Sequence, residues 1–359
     1  MVKKIKILAL ILLSQLNTHC QMKQQTSEFH VDISHPDKKY RVTPVFDYIK
    51  TLEGTPAGFP YGSTSGSWAS SGSSWTAQKG TPIGFETTYF AWSENKYYHI
   101  DQNFDKDYIL EMTNRCYSWQ DEYSELPVEE FISKEKYYEK YDDLQDFYYP
   151  FSTLVFGFAP QGMVVVWMSY GGSNKVELGR FQAKEVTDEK RLEECKKKLL
   201  STYRIHPESY NEIIEMMKSP NTSCQLWDNY RIKYNWNYKV TSDNHGFRFL
   251  CFGSEYFNGE SEKTLRPIVL NPIIKKRAIP SFIMLCWETS NKERYLSRVF
   301  FNWEKTNELL KNAGENNTFQ FHINKQNSEI EVLLSNNPIE VDSVRIYPSH
   351  LRFRDSYTD

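Results

Sequence analysis

The sequence lacks the arrangements of residues that usually mark a reactive centre. None of its eight histidines forms an H-x-x-x-H or H-x-H pair, and no two of its six cysteines form C-x-x-C. Zinc sites and thioredoxin-like sites are therefore not predicted. The G-x-S-x-G turn of serine hydrolases is missing as well. We expect no enzymatic activity, no metal and no cofactor.

An excess of charge of one sign is also missing. The 359 residues include 43 basic and 46 acidic side chains, so the net charge is −3. A protein with so balanced a charge has no broad electrostatic attraction for a polyanion. Nucleic acid is therefore not an expected partner.

A hydrophobic run long enough to cross a bilayer is not found at the N-terminus. The apolar run there covers residues 7–16, whereas a membrane-spanning helix needs about 20 residues. The run follows Lys3, Lys4 and Lys6, which is the pattern of a secretory signal peptide. We predict a signal peptide over residues 1–20.

The predicted signal peptide ends at Cys20, where a bacterial lipoprotein carries its diacylated cysteine. His19 departs from the small residues that normally precede that cysteine, so cleavage nearby without lipid is the alternative. Residues 21–29 are polar, with no acidic cluster directly after the cysteine, and are predicted to be a tether. The expected location is the periplasmic face of the outer membrane, with a lipid anchor in the membrane.

The glycines of "FGFAPQGMVVVWMSYGGSNKVELGRFQ", residues 156–182, raise the question of a phosphate-binding loop. A Walker loop requires Lys and then Ser or Thr after its second glycine, with a helix behind them. Gly162 is followed by Met-Val-Val instead. The stretch therefore predicts a meander, with strands at residues 154–158, 163–168 and 176–181 joined by two turns.

Aromatic residues are abundant: 24 Tyr, 22 Phe and 9 Trp. Mixed with Val, Thr and Ile they favour strands over long helices. The predicted class is mainly β, a β-rich α+β protein with two tandem antiparallel β domains. Their expected bounds are residues 30–187 and 218–359, joined by a helical segment at 188–217.

The two halves share a sequence pattern that indicates duplication. "TTYFAWSENKYYHIDQNFDKDYILEM" and "SFIMLCWETSNKERYLSRVFFNWEKTNELL" each contain a strand ending in Trp, a polar turn with Asn-Lys and a short helix. We predict that Trp92 and Trp287 occupy equivalent strands. The first half carries about 30 extra residues by this comparison, and they define an insertion over residues 117–149.

Two segments are candidates for a binding surface. The Ser/Gly-rich stretch of residues 61–75 is expected to be a flexible loop, whose tryptophans either fold back onto the domain or present a contact surface. The acidic, tyrosine-rich insertion either braces the first domain or recognises a partner. The predicted partner-binding residues are Trp68, Trp75, Trp119, Tyr137, Tyr138, Asp142 and Asp143.

Five cysteines remain after Cys20, so at least one of them has no partner within the chain. Cys251 in "FRFLCFG" and Cys286 in "FIMLCWE" lie in apolar strand-like runs. We expect both to be buried thiols, with a disulfide as the alternative.

The stretch from Ala159 to Ala183 resembles a bacterial lipoprotein family called domain of unknown function 2931. The similar features are the "YFAWSENKYY" segment, the "APQG" turn before "VVVW", the "GRFQA" close, and Arg231 with "KYNW" at residues 233–236. Gln161 stands where that family has glycine. The resemblance spans residues 29–240 and implies no established activity. Because some members are thought to lie beside type VI secretion effectors, it also implies a candidate immunity role.

Three classes of function remain open on these grounds. The first is a non-catalytic binding protein, such as a periplasmic inhibitor or immunity-like protein, whose acidic insertion would favour a protein partner with a basic surface. The second is a carbohydrate-binding or carbohydrate-acting envelope protein, because tyrosines can stack on sugar rings. The third is a structural envelope lipoprotein.

Overall fold

The computed structural model describes residues 27–72, 75–120, 128–219 and 222–350. The predicted signal peptide, the predicted lipidation site Cys20 and most of the predicted tether lie outside these ranges, as does the side chain of Trp75. No helix in the described part of the chain is long and apolar enough to cross a membrane.

Strands dominate the described residues and fall into two sets separated by helices. The strands of the first half are β1 (Glu28–Ser34), β2 (Val42–Thr51), β3 (Trp75–Lys79), β4 (Pro82–Ala91), β5 (Lys96–Asn103), β6 (Arg115–Ser118), β7 (Phe131–Ser133), β8 (Tyr148–Pro150), β9 (Thr153–Ala159), β10 (Met163–Tyr170), β11 (Asn174–Gln182) and β12 (Lys184–Glu185). The α-helices are α1 (Lys106–Thr113), α2 (Lys134–Glu139), α3 (Tyr141–Leu144), α4 (Glu189–Tyr203), α5 (Pro207–Met217), α6 (Gln225–Tyr230) and α7 (Trp303–Asn312). The strands of the second half are β13 (Lys233–Ser242), β14 (Arg248–Tyr256), β15 (Ser261–Leu265), β16 (Lys275–Ala278), β17 (Pro280–Glu288), β18 (Arg294–Phe300), β19 (Asn317–Ile323), β20 (Ile330–Leu334), β21 (Asn337–Pro338) and β22 (Ser343–Pro348).

The largest sheet contains strands from both halves. Its order is β22-β18-β17-β14-β15-β11-β10-β9-β1-β3, and the halves meet where Lys175 of β11 pairs with Ser261 of β15. A four-stranded sheet, β12-β5-β4-β2, belongs to the first half, and a five-stranded sheet, β16-β13-β19-β20-β21, to the second. The mainly β class is confirmed. The division into two domains stays a prediction, because the large sheet runs through both.

Each half is a sandwich of two sheets with an aromatic core. In the first half, Phe85 and Tyr89 of β4 contact Phe156 and Phe158 of β9, with ring centroids 5.0 and 4.8 Å apart. These residues alternate along their strands, so one face of each strand supplies the core. In the second half, Tyr238 of β13 stacks on Phe252 of β14 at 3.8 Å.

The two sandwiches have the same strand order. The order β3-β1-β9-β10-β11 corresponds to β16-β13-β19-β20-β21, with β1 parallel to β9 and β13 parallel to β19. Likewise β12-β5-β4-β2 corresponds to β22-β18-β17-β14. In this comparison Trp92, directly after β4, corresponds in position to Trp287 near the end of β17. Duplication of an ancestral sandwich stays a prediction, and the shared order supports it.

The second sandwich contains a buried ion pair between its two sheets. Nε of Arg277 on β16 lies 2.7 Å from a carboxylate oxygen of Glu262 on β15, and Lys275 lies 2.7 Å from the other oxygen. The Arg277 side chain is 5% exposed, and its guanidinium also donates to the carbonyl of Trp236. The carboxylate is therefore neutralised within the interior, as a buried charge requires.

Helices and the insertion cover the outer faces of the sheets. Helices α4 and α5 pack on β4 and β5, where Trp92 and Tyr97 meet Cys195 and Tyr210. The insertion contributes to a small sheet, β7-β6-β8, and the helices α2 and α3 connect β7 to β8. Its apolar residues pack against Leu250, Cys251, Leu265 and Cys286 of the second half. The bracing contacts of the insertion therefore extend to the second half, although bracing was expected for the first domain alone.

The glycine-marked turns reverse the chain, as predicted. Gln161 and Gly162 both have positive φ, +59° and +77°, and join β9 to β10. Gly171 and Gly172 have φ of +59° and +79° and join β10 to β11. The predicted meander is confirmed, with strands two or three residues longer than expected.

The expectation of free thiols at Cys251 and Cys286 is wrong, because the structure joins them in a disulfide. The two residues lie directly opposite each other on neighbouring strands β14 and β17. Their Cα atoms are 4.9 Å apart, within the range that a disulfide spans. Sequence alone could not reveal this cross-strand register. Cys116, Cys195 and Cys224 are free.

Candidate functional site

An aromatic cleft of about 470 Å³ lies where the two halves and α6 meet. It has the size and the mixed apolar and polar lining of a small-ligand site. Its ring-bearing residues are Tyr40, Trp68, Trp227, Tyr230, Tyr256 and Phe257. Its rim includes the polar residues Asp37, Lys39, Ser67, Glu255 and Ser281.

The Ser/Gly-rich loop builds one wall of the cleft. The indole of Trp68 lies edge-on to Trp167 at 5.1 Å and tilted toward Trp227 at 6.2 Å. It fits there because Gly157 of β9 has no side chain; a Cβ at that residue would come within 2.8 Å of the Trp68 ring. Trp68 therefore folds back onto the sheet, which is one of the two alternatives considered from the sequence.

The loop is predicted to be flexible, and in the structure backbone hydrogen bonds connect several of its described residues, 61–72. Ser67 and Ser70 exchange two backbone hydrogen bonds, and Thr64 donates its backbone N–H to the Val42 carbonyl. Gly66 permits the tight bend with φ of +78°, where a Cβ would lie 2.0 Å from the Ser70 carbonyl oxygen. Backbone hydrogen bonds thus order a segment that has almost no apolar side chains.

Helix α6 forms the opposite wall, and two ion pairs fix it to β11. The Arg180 guanidinium donates to both carboxylate oxygens of Asp228, at 3.0 and 3.1 Å. Arg231, just after α6, donates to both carboxylate oxygens of Glu177, at 2.6 and 3.1 Å, and the Glu177 side chain is only 9% exposed. Both ion pairs are of the strong bidentate type. They hold Trp227 in position opposite Trp68.

The turn between β9 and β10 supports the start of α6. Both carboxylate oxygens of Glu94 accept the backbone N–H of Gln161, at 3.1 Å. Tyr98 and Thr222 donate their hydroxyls to the same carboxylate. Burial and the neighbouring Glu94 raise the pKa of Tyr98, so its hydroxyl remains a donor. The amide oxygen of Gln161 accepts the Cys224 backbone N–H, directly before α6, at 3.5 Å.

Next to this turn lies a second, polar pocket of about 550 Å³. The ammonium of Lys96 and the carboxylate of Glu185 form an ion pair at 2.7 Å on its wall. The Glu94 carboxylate on the pocket wall already accepts hydrogen bonds from Gln161, Tyr98 and Thr222. These bonds stabilise the chain reversal between β9 and β10. The residues that line it include Ser93, Glu94, Lys96, Tyr98, Gln161, Lys218 and Ser219.

The predicted residues of the insertion occupy different environments. Tyr137 is buried at 5%, whereas Tyr138 on α2 and Tyr141 on α3 are 38% and 45% exposed with nearly parallel rings 6.3 Å apart. Asp142 and Asp143 are exposed in the first turn of α3. Tyr138, Asp142 and Asp143 therefore lie on exposed short helices of the insertion.

Trp119 lies apart from those helices, directly after β6. It is partly buried against Tyr149 at 5.1 Å, and the Lys263 ammonium lies 5.7 Å from its ring centroid. Trp68 belongs to the cleft, and the backbone of Trp75 begins β3. The predicted binding residues are thus distributed over the cleft wall, the exposed insertion helices and the β6 end.

Several cleft residues were not found from the sequence. The predicted helical segment ends at residue 217 and the second β domain is expected from 218, but residues Gln225–Tyr230 form α6 and β13 begins only at Lys233. The i, i+3 spacing of Trp227 and Tyr230 was a helical signal that the aromatic, strand-like composition obscured. Glu255 and Phe257 come from the second half and had no local signal.

The described residues contain no group of three or more His, Cys, Asp and Glu side chains placed to hold a metal ion. The cleft supplies ring faces, hydrogen-bond donors and carboxylates. These groups can bind a ligand by contact.

Comparison with known proteins identifies the family of this chain but no individual relative. No curated protein and no solved structure matches the chain. Residues 18–221 match the family described as "Protein of unknown function (DUF2931)". The matched range includes Trp68, Glu94, Gln161 and Arg180, and it ends before α6. Because it covers more than half of the 359 residues, the chain belongs to the DUF2931 family.

Proposed function

We propose that this protein is a non-catalytic binding protein of the bacterial cell envelope and that its ligand occupies the aromatic cleft. The observation that carries the proposal is the convergence of six aromatic side chains from both halves and α6 on one concave site. Sites of this kind occur preferentially where structural units meet. Aromatic anchors in such pockets carry most of the binding energy of many interfaces.

The shape of the cleft depends on hydrogen bonds made by residues that do not line it. The Glu94 carboxylate fixes the turn at Gln161, and Arg231 fixes the end of α6. Both features resemble the family motifs noted in the sequence. We infer that these motif residues act by positioning the cleft walls.

A second candidate is inhibition of a protein partner by the insertion. The exposed pair Tyr138 and Tyr141 offers two ring faces beside Asp142 and Asp143. Such a surface would attract a basic partner, and added salt would slow the encounter. An immunity-like protein would use this surface and could leave the cleft empty.

The two candidates predict opposite results for surface variants. Leu226 lies at the cleft on α6 and is 40% exposed, so Leu226→Glu would block the cleft at little cost in stability. We expect this variant to lose the molecules that the immobilised wild-type protein captures from an envelope extract, as identified by mass spectrometry. Leu309→Glu is the matched control, because Leu309 is 39% exposed on α7 and does not line the cleft.

The variant Tyr138→Ala/Tyr141→Ala completes this comparison. Capture that survives in Leu226→Glu and disappears in the double tyrosine variant would reject the cleft and support the insertion surface. Capture that all variants retain would reject both surfaces. Thermal unfolding of each variant shows whether the fold is intact.

We also propose that a lipid on Cys20 anchors the protein to the outer membrane, facing the periplasm. The basic residues and apolar run before Cys20 support it, and the disulfide between Cys251 and Cys286 fits an exported protein. Several acyl chains on one cysteine give stable attachment, whereas one chain alone is marginal. We expect mass spectrometry of the native protein to find an acylated Cys20 at the mature N-terminus. An N-terminus downstream of Cys20 without lipid would reject the anchor.

A further inference from the structure

The aromatic cleft contains hydrogen-bonding groups that the described part of the chain leaves unused. The indole N–H of Trp68 is buried and has no acceptor there. The indole N–H of Trp167 also has no acceptor among the described residues, but Trp167 is fully buried behind Gly259 of the cleft lining, so a ligand in the cleft would not reach it. A buried donor without an acceptor is costly and calls for an explanation. A ligand that brings acceptor atoms into the cleft supplies one.

Glu255 provides the complementary group on the rim. Its carboxylate is exposed at the cleft and forms no hydrogen bond with the described residues. A carboxylate accepts hydrogen bonds and cannot donate them when it is ionised. The cleft therefore offers one unused donor, the Trp68 N–H, beside one unused acceptor, the Glu255 carboxylate, so a ligand suited to it both accepts and donates.

The charges of the rim select against a strongly charged ligand. Asp37 and Glu255 contribute two carboxylates and Lys39 one ammonium, which lies 4.8 Å from the Tyr40 ring centroid. Asp37 also accepts the backbone N–H of Lys39, so part of its hydrogen-bonding capacity is used within the chain. The near balance of charge fits a neutral, polar ligand.

We propose that the cleft binds carbohydrate. A sugar ring combines apolar C–H faces, which pack on aromatic rings, with hydroxyl edges that both donate and accept. Trp68 and Trp227 would contact the ring faces, the Trp68 N–H would donate to a hydroxyl oxygen, and Glu255 would accept from hydroxyls. The inference rests on the proposed function and names the ligand class for that same cleft.

The direct test is calorimetric titration of the purified protein with chitotetraose, cellotetraose and maltotetraose. Trilysine and tetramethylammonium serve as comparison ligands, because aromatic clefts also bind cations. We expect at least one of the sugars to bind and neither cation to bind.

Variants then show whether binding uses the proposed groups. Trp68→Phe keeps a ring and removes the N–H, and we expect it to bind the sugar about tenfold more weakly, the effect of one lost hydrogen bond in a buried site. Glu255→Gln should weaken binding to a similar extent. Trp119→Phe is the matched control, since its indole N–H is also buried without an acceptor but Trp119 does not line the cleft. It should bind like the wild type.

The outcomes separate this inference from the proposed function. If no sugar binds, or if Trp68→Phe binds the sugar as well as Trp119→Phe does, the carbohydrate inference is wrong. Binding of a cation to the wild type in place of a sugar would leave the proposed function intact with another ligand class. If Leu226→Glu also captures the same envelope molecules as the wild type, the proposed function fails independently.

Discussion

Replacing Arg277 with Met is expected to destabilise the protein by about 3–5 kcal/mol, the usual cost of removing one partner of a buried ion pair. The change leaves the Glu262 carboxylate between the two sheets of the second sandwich with only Lys275 as an ion partner. It also removes the hydrogen bond to the Trp236 carbonyl. Urea unfolding of the purified variant measures the difference.

The double variant Glu262→Gln/Arg277→Met is the control for that prediction. It removes both charges, so most of the lost stability should return. If the single and double variants are equally destabilised, the loss comes from packing around Trp236 rather than from the Glu262 carboxylate left with Lys275 alone.

The same ion pair predicts how the stability of the fold depends on pH. Burial alone would raise the pKa of Glu262, but Arg277 and Lys275 outweigh burial and hold that pKa below its ordinary value of 4.5. The unfolded chain therefore binds this proton more readily than the folded chain does. The stabilisation is present above pH 4.5 and is lost as pH falls through the lowered pKa. The double variant should lose less stability in acid than the wild type.

Replacing Arg231 with Met is expected to cost about 2–3 kcal/mol, in the range for hydrogen bonds to charged groups. The change leaves the carboxylate of Glu177, 9% exposed, without its ion partner. Because Arg231 holds the end of α6, we also expect weaker capture of the cleft ligand. The stability and ligand capture of Arg231→Lys should fall between those of the wild type and Arg231→Met, since lysine keeps the charge and loses the bidentate geometry.

Arg298→Met is the matched control for Arg231→Met. Arg298 is exposed on β18, and its guanidinium lies 5.5 Å from the Phe282 ring centroid. Its replacement should change stability by no more than about 0.5 kcal/mol. A similar loss in both variants would show that Arg231 has no special role in fixing α6.

The strand segments around Trp92 and the meander from Thr153 to Gln182 could be predicted from sequence, because alternation and glycine turns are local signals. The helical segment at residues 188–217, which contains α4 and α5, was predicted as well, because apolar residues at helical spacing are also a local signal. Family membership was also predicted, on the motifs between Ala159 and Ala183, and the match of residues 18–221 confirms it.

The cleft could not be predicted because its residues are distant in sequence. Tyr40 and Glu255 line the same site with more than two hundred residues between them, and their approach depends on how the two halves meet. The disulfide could not be predicted for the same reason, since Cys251 and Cys286 face each other only in the register of β14 and β17. Strand register between distant segments is set by tertiary packing, which no local pattern specifies.

The position of the insertion limits how this family architecture can be divided or recombined. Its apolar residues, which include Val128, Ile132 and Tyr148, are covered by Leu250 and Leu265 from the other half. A gene fragment that encoded only the family-matched residues would leave those side chains facing water, and exposed patches of this kind promote aggregation. The first sandwich is therefore not a portable module. Exchange between relatives would succeed only if the insertion and the strands beneath it were inherited together.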